Sequence, residues 1–519
     1  MMATSFSDQW TVTKPAVSSK GGVVACQNQR AARIGVEVLD AGGNAVDAAV
    51  AVSLAMGAVE PWMSGLGGGG AMLVYLAGEK RVHAVDFGMV APRGLDPADY
   101  PVTGSADADL FGWPAVEDDR NLRGPLSICV PTYLAGIELA RERFGTMQLA
   151  ELAAPAARLA ARGLAIDWYA ALVIASAARD LSRYPASAEV WLPDGHPPVA
   201  DWGGAESFMA LGNLACTLEA LADGGAASFY RGDIARSIAN DMESLGGRLV
   251  AEDLASYGAR IVEPLRIGYR GGEIDAMPGL FAGATLQRCI AMLSARKTAD
   301  MPDTDLYKRY AEALSSAYEE RLRTMGDVSP APSCTTHLNV VDAHGNMVTL
   351  TQTLLSLFGS KVVLPETGIL MNNGVNWFDP RPGRPNSMAP GKRPLSNMCP
   401  VIGLQAGRRF ALGASGGRRI LPAVLQIASF LMDHGMDLGT AFAQPRIDVS
   451  GTDLVSMNAA LPEKTKAALA ESFRTREQRP MVYPLSFACP SAVLRDDATG
   501  LSWGAAEPVQ PWAGARGQG

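Results

Sequence analysis

Several features that would place this 519-residue chain in a specialised class are missing from its sequence. The seven cysteines are odd in number and scattered, so neither a disulfide framework nor a zinc knuckle is indicated. We therefore expect reduced thiols in a reducing compartment. The five histidines lack metal-ligand spacing, and we expect them to be surface or hydrogen-bonded core residues.

Segments that direct a protein to or across a membrane are also missing. Residues 1–22 lack the basic region and apolar run of a secretory signal. The most apolar segment, residues 45–61, contains Asp47 and is too short to span a bilayer. Lys and Arg number 45 against 53 Asp and Glu, and this net charge of −8 argues against nucleic acid or an anionic membrane as a partner. We expect a soluble cytoplasmic protein.

What remains is an ordinary globular composition, 48% hydrophobic and 19% charged, without repeats or long linkers. The length allows one large domain or two to four smaller ones. An alanine-rich stretch over residues 30–57 predicts two helices, and Asn44 is placed to cap the second. A strand is predicted at residues 81–87. The Pro/Gly-rich stretch at 378–394 is predicted to be a surface or lid loop.

The glycine run SGLGGGG, residues 64–70, invites comparison with a phosphate-binding loop. A Walker loop requires Gly-Lys-Ser/Thr after the glycines, and Ala-Met-Leu follows here. A dinucleotide-binding loop leads from a strand into a helix, whereas this run leads from a predicted helix into a predicted strand. We expect tight backbone packing at a helix-to-strand turn instead.

From residue 335 polar and apolar residues alternate, which is typical of half-buried strands. The segments THLNVVD and NMVTLTQT flank the loop DAHGN, residues 342–346, and together predict a β-hairpin. In that register residue 341 pairs with 347, 339 with 349 and 337 with 351. Thr335 then lies directly opposite Thr353, near enough for the two side chains to meet.

One candidate nucleophile lies in GASGG, residues 413–417, which matches the nucleophile-elbow pattern. Ser415 would need an acid and a histidine downstream, and only His434, next to Asp433, is available. This makes a poor catalytic triad. The adjacent glycines can instead offer backbone N–H groups to an oxyanion.

The other candidate nucleophile is Thr335, in the stretch CTTHLNVVD. A threonine hydroxyl inside a chain is a weak nucleophile. At a chain N-terminus its own α-amine can act as the base, because that amine has a pKa of about 8. The residues alone leave open whether Thr335 is such a nucleophile or an ordinary strand residue.

Several sequence blocks, taken in order, resemble the gamma-glutamyltransferase family of N-terminal-nucleophile hydrolases. The resemblance covers the chain from about residue 20 to residue 510. The blocks that carry it are GGNAVDAAVAVSLAMGAVEPWMSGLGGGG, FYRGDIARSIANDMESLGGRLVAEDLASY, GYRGGEIDAMP, TTHLNVVDAHGNMVTLTQTLLSLFGS, ETGILMNN, PGKRPLSNMCP and ASGGRRILPAVLQ.

The resemblance implies an α/β (α+β) fold, a four-layer αββα sandwich made as one precursor. The precursor would cleave itself at the Cys334–Thr335 bond. Its large chain, 1–334, and its small chain, 335–519, would stay together because one core is built from both. Whether two such heterodimers pair is left open. No cofactor and no metal are expected.

The same resemblance assigns roles to individual residues. Thr335 matches the nucleophile and Thr353 the threonine that hydrogen-bonds it. Two positions match the glycines of the oxyanion hole, and two further positions are expected to bind substrate. The first pair is Gly416 and Gly417, and the second is Ser396 and Asn397, where Asn397 replaces the second serine of the family's Ser-Ser pair.

The positions that hold the glutamyl group in transferases of this family differ here. The arginine that holds the α-carboxylate corresponds to Gly88, and the polar residues that hold the amino group correspond to Leu355, Gly374 and Trp377. A site without those partners must desolvate a zwitterion without replacing its lost hydrogen bonds. We therefore expect glutathione to be a poor substrate. Leu355, Trp377 and Phe378 favour an apolar or aromatic acyl group.

Three interpretations of function follow. The first is an autoprocessing amidohydrolase or acylase for a non-glutamyl acyl group. The second is a gamma-glutamyl transferase or hydrolase for glutathione-like substrates, or an amidase for a small carboxylate-bearing acyl group of the oxamate or glutaryl type. The third is an unprocessed binding or scaffold protein. Arg418 bears on the choice, since it either meets a substrate carboxylate or is a surface arginine.

Overall fold

The computed structural model describes residues 12–106, 113–295, 301–325, 334–450, 454–483 and 485–519. Two seven-stranded sheets pack face to face, and helices cover the outer face of each. The architecture is therefore the predicted four-layer αββα sandwich. The predicted loop at 378–394 contains no helix or strand and is exposed at residues 382–385.

The strands are numbered in chain order. They are β1 (Val17–Ser19), β2 (Val23–Cys26), β3 (Gly69–Leu76), β4 (Arg81–Phe87), β5 (Val102–Ala106), β6 (Pro114–Val116), β7 (Leu164–Ile166), β8 (Ser207–Met209), β9 (Arg260–Val262), β10 (Leu265–Tyr269), β11 (Gly272–Ala276), β12 (Cys334–Val341), β13 (Met347–Leu355), β14 (Val401–Gln405), β15 (Arg408–Ser415), β16 (Ile447–Asp448), β17 (Leu454–Asn458), β18 (Arg474–Gln478), β19 (Cys489–Asp496), β20 (Ser502–Ala506) and β21 (Gly514–Gly517).

The helices are numbered in the same way, and none of those in the described residues is long and apolar enough to cross a bilayer. They are α1 (Gln29–Asp40), α2 (Ala45–Val59), α3 (Tyr133–Phe144), α4 (Leu149–Arg162), α5 (Trp168–Leu181), α6 (Pro185–Trp191), α7 (Leu214–Arg231), α8 (Asp233–Ser244), α9 (Ala251–Ser256), α10 (Gly283–Ser294), α11 (Thr304–Thr324), α12 (Ile420–Asp433), α13 (Leu438–Ala443) and α14 (Glu463–Ala470).

Both large sheets combine strands from the two sides of residue 334. The first has the order β21-β2-β12-β13-β3-β4-β9, and the second β1-β20-β19-β15-β14-β11-β10. Strands β12, β13 and β21 of the C-terminal part thus hydrogen-bond directly to β2 and β3 of the N-terminal part. Neither part forms either of the two large sheets alone.

The predicted helical stretch forms α1 and α2, and Asn44 caps α2 as expected. The Asn44 side chain accepts from the N–H groups of Val46 and Asp47, at 2.8 and 3.1 Å. The Asp47 carboxylate in turn accepts from the N–H of Asn44, which completes a capping box. All but one of the α2 residues are buried, because this helix is apolar on every side and lies inside the molecule.

Helix α2 is joined to both ends of β12. At one end the carboxylate of Asp342 accepts a 3.0 Å bond from the N–H of Ala45. At the other end Thr336 donates a 3.3 Å bond to Glu60, the residue after α2. The 15 residues of α2 extend about 22 Å, and the strand from Thr336 to Asp342 extends about 20 Å, so the two spans match.

The glycine run packs against backbone, as predicted. A Cβ at Gly67 would lie 2.2 Å from the carbonyl oxygen of Leu370, and one at Gly68 would lie 2.5 Å from that of Thr353. A Cβ at Gly70 would meet the carbonyl oxygen of Thr351 at 2.4 Å. Carbonyl groups of the main chain cannot move aside as a flexible side chain can, so these positions require glycine.

We expect Gly67→Ala to lower the free energy of unfolding by about 1–3 kcal/mol, the usual cost of forcing an extra carbon into a packed interior. Gly78→Ala is the matched control, because a Cβ there has no atom within 4 Å. Urea unfolding of both variants and the parent protein measures the difference. Equal losses in the two variants would contradict the packing role of the run.

Candidate active site

The predicted threonine pair forms. Thr335 is 3% exposed, and its Oγ1 donates a 3.2 Å hydrogen bond to Oγ1 of Thr353. The Thr353 hydroxyl also accepts a 2.8 Å bond from the backbone N–H of Leu355. The hydroxyl of Thr335 is thus held by a second hydroxyl that the backbone itself fixes.

The hairpin register is as predicted over most of its length and differs at its open end. Residue 341 pairs with 347, 339 with 349 and 337 with 351. At the start of β12 the ladder contains an irregularity, with Cys334 opposite Leu355 and Thr336 opposite Gln352. Thr335 and Thr353 are therefore not simple ladder partners, and the prediction of direct opposition is corrected. Bulges redirect side chains locally, and here the two hydroxyls still meet.

The backbone is unusual at the same point. Leu355 has φ = 83°, a left-handed conformation that is rare for a side chain branched beyond Cβ. Its side chain is fully buried. Such strained residues persist where surrounding packing holds them, and they concentrate at functional sites.

The hairpin was expected to be half-buried, and that expectation is wrong, because both strands are buried on both faces. The polar face of β12 is covered by the second sheet and its groups bind one another. His337 contacts Thr351 Oγ1 through Nδ1 at 2.9 Å and Asn339 Oδ1 through Nε2 at 3.2 Å. Asn339 donates a 2.8 Å bond to the carbonyl of Ser491. Burial lowers the pKa of His337 to about 3, so this is a neutral core histidine.

Strand β15 of the second sheet lies across the hairpin. A Cβ at Gly413 would fall 2.3 Å from Cε1 of His337, so this close approach requires glycine. One residue earlier, the carbonyl of Leu412 accepts a 3.4 Å bond from Thr349, which pairs with Asn339. The C-terminal end of β15 therefore lies toward the N-terminal end of β12.

Gly416 and Gly417 come directly after β15, with φ of 126° and 62°. Because β15 ends toward the start of β12, these glycines follow at the end of the sandwich that contains Thr335. Ser415 forms no triad with His434, since the 14-residue helix α12 separates them and is about 21 Å long. The elbow interpretation of this motif is therefore excluded by geometry.

The four positions that were predicted to replace the glutamyl contacts lie around one apolar cluster. A Cβ at Gly88 would lie 3.4 Å from Cζ of Phe281, and a Cβ at Gly374 would lie 2.7 Å from Sδ of Met89. Leu355 and Trp377 are buried in the same group of side chains. The apolar cluster around these positions contains Met89, Cys129, Phe281, Leu355, Trp377, Phe378 and Met398.

Ser396 is buried at the edge of this cluster. Its N–H donates a 2.9 Å bond to the carbonyl of Leu280, and its carbonyl accepts a 2.6 Å bond from Nη2 of Arg321. Arg321 also donates to the carbonyl of Phe281 at 3.2 Å. Burial lowers the pKa of Arg321 to about 10, which leaves it cationic at neutral pH. Asn397 is half-buried.

Arg418 is 3% exposed, so the expectation of a surface arginine is wrong. Its carbonyl accepts a hydrogen bond from the hydroxyl of Tyr318. Sequence reasoning missed two other buried ionisable residues near the site, Arg321 and Glu60. A signal for Glu60 was available, because it is a single carboxylate at the end of an apolar helical segment.

The described residues contain no group of three or more His, Cys, Asp or Glu side chains that could hold a metal ion. The six cysteines whose side chains are described are free, and Cys216 alone among them is exposed. Burial raises the pKa of Cys26 to about 12, so this thiol stays protonated at neutral pH.

Comparison with known proteins identifies a consistent set of similar sequences. A family model described as gamma-glutamyltranspeptidase matches residues 31–333 and 328–515. Acylase ACY 1 proenzyme from Pseudomonas sp. (strain SE83) is 34% identical over 504 residues, which cover 88% of this chain and 87% of that protein. Glutathione hydrolase proenzyme from Bacillus subtilis (strain 168) is 30% identical over 486 residues, which cover 82% of this chain and 80% of that protein.

A solved structure extends the similarity to the fold. The crystal structure of cephalosporin acylase from Bacillus halodurans superposes with a TM-score of 0.85 at 23% sequence identity. The match covers 100% of this chain and 99% of that chain. At this level of identity the similarity shows a shared fold.

His337 should make stability depend on pH. Its folded-state pKa lies below the unfolded value of about 6.5, so the unfolded chain binds the extra proton first. We expect its contribution to be complete above pH 6.5 and to be lost as pH falls toward 3, at about 1.4 kcal/mol per pH unit. Urea unfolding of the parent protein and of His337→Gln at pH 7 and pH 5 measures this, and the variant should show the smaller loss. His196→Gln, at an exposed position, is the control. Equal changes in stability between pH 7 and pH 5 in all three proteins would contradict this role of His337.

Proposed function

This chain belongs to the gamma-glutamyltranspeptidase family of N-terminal-nucleophile amide hydrolases, and on that premise we propose that it is an autoprocessing acylase whose nucleophile is Thr335. It cleaves amides whose acyl group is apolar or aromatic instead of glutamyl. The observation that carries the proposal is the Thr335–Thr353 hydroxyl pair at the end of the sandwich, beside the apolar cluster that contains Phe281, Leu355 and Trp377.

The proposed reaction begins after cleavage of the Cys334–Thr335 bond, when Thr335 carries a free α-amine. The amine accepts the proton of the Thr335 hydroxyl as Oγ1 attacks the amide carbonyl. The N–H groups of Gly416 and Gly417 stabilise the oxyanion. The tetrahedral intermediate collapses, the ammonium group returns the proton to the leaving amine, and an acyl ester remains on Thr335. Water, deprotonated by the same amine, then hydrolyses the ester and releases the acid.

Thr353 has a positioning role in this scheme. Its hydroxyl accepts from both Thr335 Oγ1 and the N–H of Leu355, so the direction of the nucleophile is set by the backbone of β13. Positioning of this kind supplies a large part of enzymatic rate enhancement, because the reacting atoms need no further search.

Both large sheets contain strands from the two parts of the chain, which supports a precursor whose two chains stay associated after cleavage. Cutting before Thr335 would leave the large chain, 1–334, and the small chain, 335–519. Strand β12 would still be hydrogen-bonded to β2 on one edge and β13 on the other. The hydrophobic core would also stay shared between the two chains, since both large sheets draw strands from each.

The acyl specificity is inferred from what surrounds Gly88. Where the family's transferases have an arginine, the space beside the missing side chain contains the ring of Phe281. Leu355 and Trp377 add further apolar surface. Asp86 Oδ1 lies 3.5 Å from where a Cβ at Gly88 would be, but that carboxylate is already paired with Arg260 and Arg393. Against Phe281, Leu355 and Trp377 a zwitterionic head group would be desolvated with few new partners, while an apolar group would be stabilised by burial.

A second candidate substrate is an amide with a small carboxylate-bearing acyl group. The observation in its favour is the burial of Arg418, directly after the oxyanion glycines. A buried guanidinium can hold a carboxylate through paired hydrogen bonds.

Thr335→Ala should abolish maturation, because the residue loses the hydroxyl that attacks the preceding bond. A denaturing gel and intact mass should show one chain of 519 residues in place of chains of 334 and 185 residues (519 − 334 = 185). Ser415→Ala is the control for the rival nucleophile, and it should be cut and active. A Thr335→Ala protein that was still cut and active would rule out the mechanism.

Acyl preference should follow the apolar cluster. With amides of one common amine, we expect kcat/KM for aromatic and aliphatic acyl groups to exceed that for the gamma-glutamyl group by about 100-fold or more, since the apolar cluster desolvates the zwitterion and offers it few partners. Phe281→Leu should lower kcat/KM for the aromatic acyl groups selectively.

The matched control for that series is Phe229→Leu, the same change in a different buried cluster. It should leave the order of substrates unchanged. Preference for dicarboxylic acyl groups would favour the Arg418 alternative. Release of p-nitroaniline from a gamma-glutamyl anilide, stimulated by a dipeptide acceptor, would contradict the proposed specificity.

A further inference from the structure

Glu60 is a fully buried carboxyl group next to the candidate nucleophile, and the scheme above does not use it. It follows the last residue of α2, and its Oε2 accepts a 3.3 Å bond from the hydroxyl of Thr336. Its Oε1 accepts a 3.4 Å bond from Nε2 of Gln510, which also donates to the hydroxyl of Tyr169 at 3.0 Å. Thr336 is the residue immediately after Thr335.

No cation among the described residues compensates Glu60. Burial raises its pKa to about 8, and the hydrogen bond from Thr336 offsets only part of that effect. Lys14 contacts Gln510, a neighbour of Glu60, but its ammonium donates to the main-chain carbonyls of Gln510 and Ala513. The titratable and polar groups around Glu60 are Thr336 on β12, Cys26 on β2, Cys489 on β19, Tyr169 on α5 and Gln510, with Lys14 and Glu507 beyond them.

We propose that Glu60 is a positioning residue for the nucleophile, which anchors Thr336 to the end of α2 and thereby directs the Thr335 side chain toward Thr353. The inference rests on the proposed function, in which Thr335 attacks first its own preceding bond and then substrate.

The geometry of a strand explains how the anchor works. Successive side chains of a strand point to opposite faces, so Thr336 faces the helix layer and Thr335 faces the second sheet. Holding Thr336 against the end of α2 therefore fixes the direction in which the Thr335 side chain points. In the rest of the strand, regular hydrogen bonds of the β-ladder fix the side-chain directions. Between Cys334 and Thr336 the ladder is irregular, so these bonds alone do not fix them there.

Cleavage increases the need for the anchor. Once the Cys334–Thr335 bond is cut, Thr335 is a chain end, and chain ends lose order unless they are tied down. Counted from the cleavage site, the first side-chain hydrogen bond that links β12 to the end of α2 is the one from Thr336 to Glu60. At the far end of the same strand, the bond from Ala45 to Asp342 does not touch the cleavage site.

The protonation state of Glu60 suits this position. At neutral pH the carboxyl is largely uncharged, so it adds no negative charge beside the α-amine of Thr335. An ionised carboxylate there would favour the ammonium form of the amine and remove the general base. A neutral side chain of the same shape should therefore replace Glu60.

The test compares four variants: Glu60→Ala, Glu60→Gln, Thr336→Val and the double variant Glu60→Ala/Thr336→Val. Rates of maturation are followed on denaturing gels per folded molecule, and kcat and KM are measured on the matured protein. We expect Glu60→Ala and Thr336→Val each to slow maturation and lower kcat by about tenfold, the value of one hydrogen bond, with KM unchanged. Glu60→Gln should stay within about twofold of the parent, because its amide oxygen can accept from Gln510 while its NH2 group donates to the Thr336 hydroxyl, which can act as an acceptor.

The double variant decides whether Glu60 acts through Thr336. If it does, the double variant should be no slower than either single variant, whereas independent effects would multiply. Asp342→Asn is the structural control, because it disturbs the other junction of α2 and β12. It should lower stability without changing the maturation rate of the folded protein.

Stability against pH gives a separate readout. The folded-state pKa of Glu60 lies above its unfolded value of about 4.3, so its contribution is complete below pH 4.3 and is lost as pH rises toward 8. Between pH 6.5 and pH 8, where the contribution of His337 no longer changes, the parent should lose melting temperature, and Glu60→Gln should lose less.

The outcomes separate the two proposals. A parent protein that is never cut would overturn the proposed function itself. A parent that is cut, with Glu60→Ala maturing at the parental rate or with multiplicative effects in the double variant, would overturn the role of Glu60 alone. Failure of Glu60→Gln to restore maturation would also overturn it.

Discussion

Strand β12 is enclosed on every side, and the candidate site depends on that enclosure. Its two edges hydrogen-bond to β2 and β13, one face packs against α2, and the other packs against β15 and β19. A strand so placed has a fixed register and fixed side-chain directions, because a shift of one residue would exchange the faces of every side chain. The polar residues Thr335, His337 and Asn339 can then meet particular partners within the interior.

Polar residues can occupy the middle of the sandwich without destabilising it because the elements around β12 supply hydrogen-bond partners. Buried polar groups are costly only when they lack partners. His337 and Asn339 bind each other, the hairpin and the second sheet. This network aligns the two sheets in the region where Gly413 of β15 passes over the hairpin, and it keeps the chain after β15 in place relative to Thr335.

Local pattern allowed much of the site to be predicted from sequence. Alternation with period two and the length of the DAHGN loop gave the hairpin register and the meeting of Thr335 with Thr353. The bulge at the start of β12 could not be predicted, since no local feature of the alternating pattern marks it. Alternation also distinguishes the polar face of a strand without saying whether water or another sheet covers it. The contact of Glu60 with Thr336 joins residues 276 positions apart, and no local signal encodes such a contact.

The structure divides the site into two parts with different physical origins. The hydroxyl pair and the glycine turn depend on backbone position, since Thr353 is oriented by the N–H of Leu355 and Gly413 allows β15 to approach. The wall of the apolar cluster depends on side chains such as Phe281 and Trp377, which can change without moving those backbones. Arg321 connects this wall to the scaffold by donating to main-chain carbonyl groups. Hydrogen bonds to the main chain do not depend on which side chain the accepting residue carries. Substitutions in this wall can therefore change which acyl group the proposed site accepts while Thr335 and its supports stay fixed.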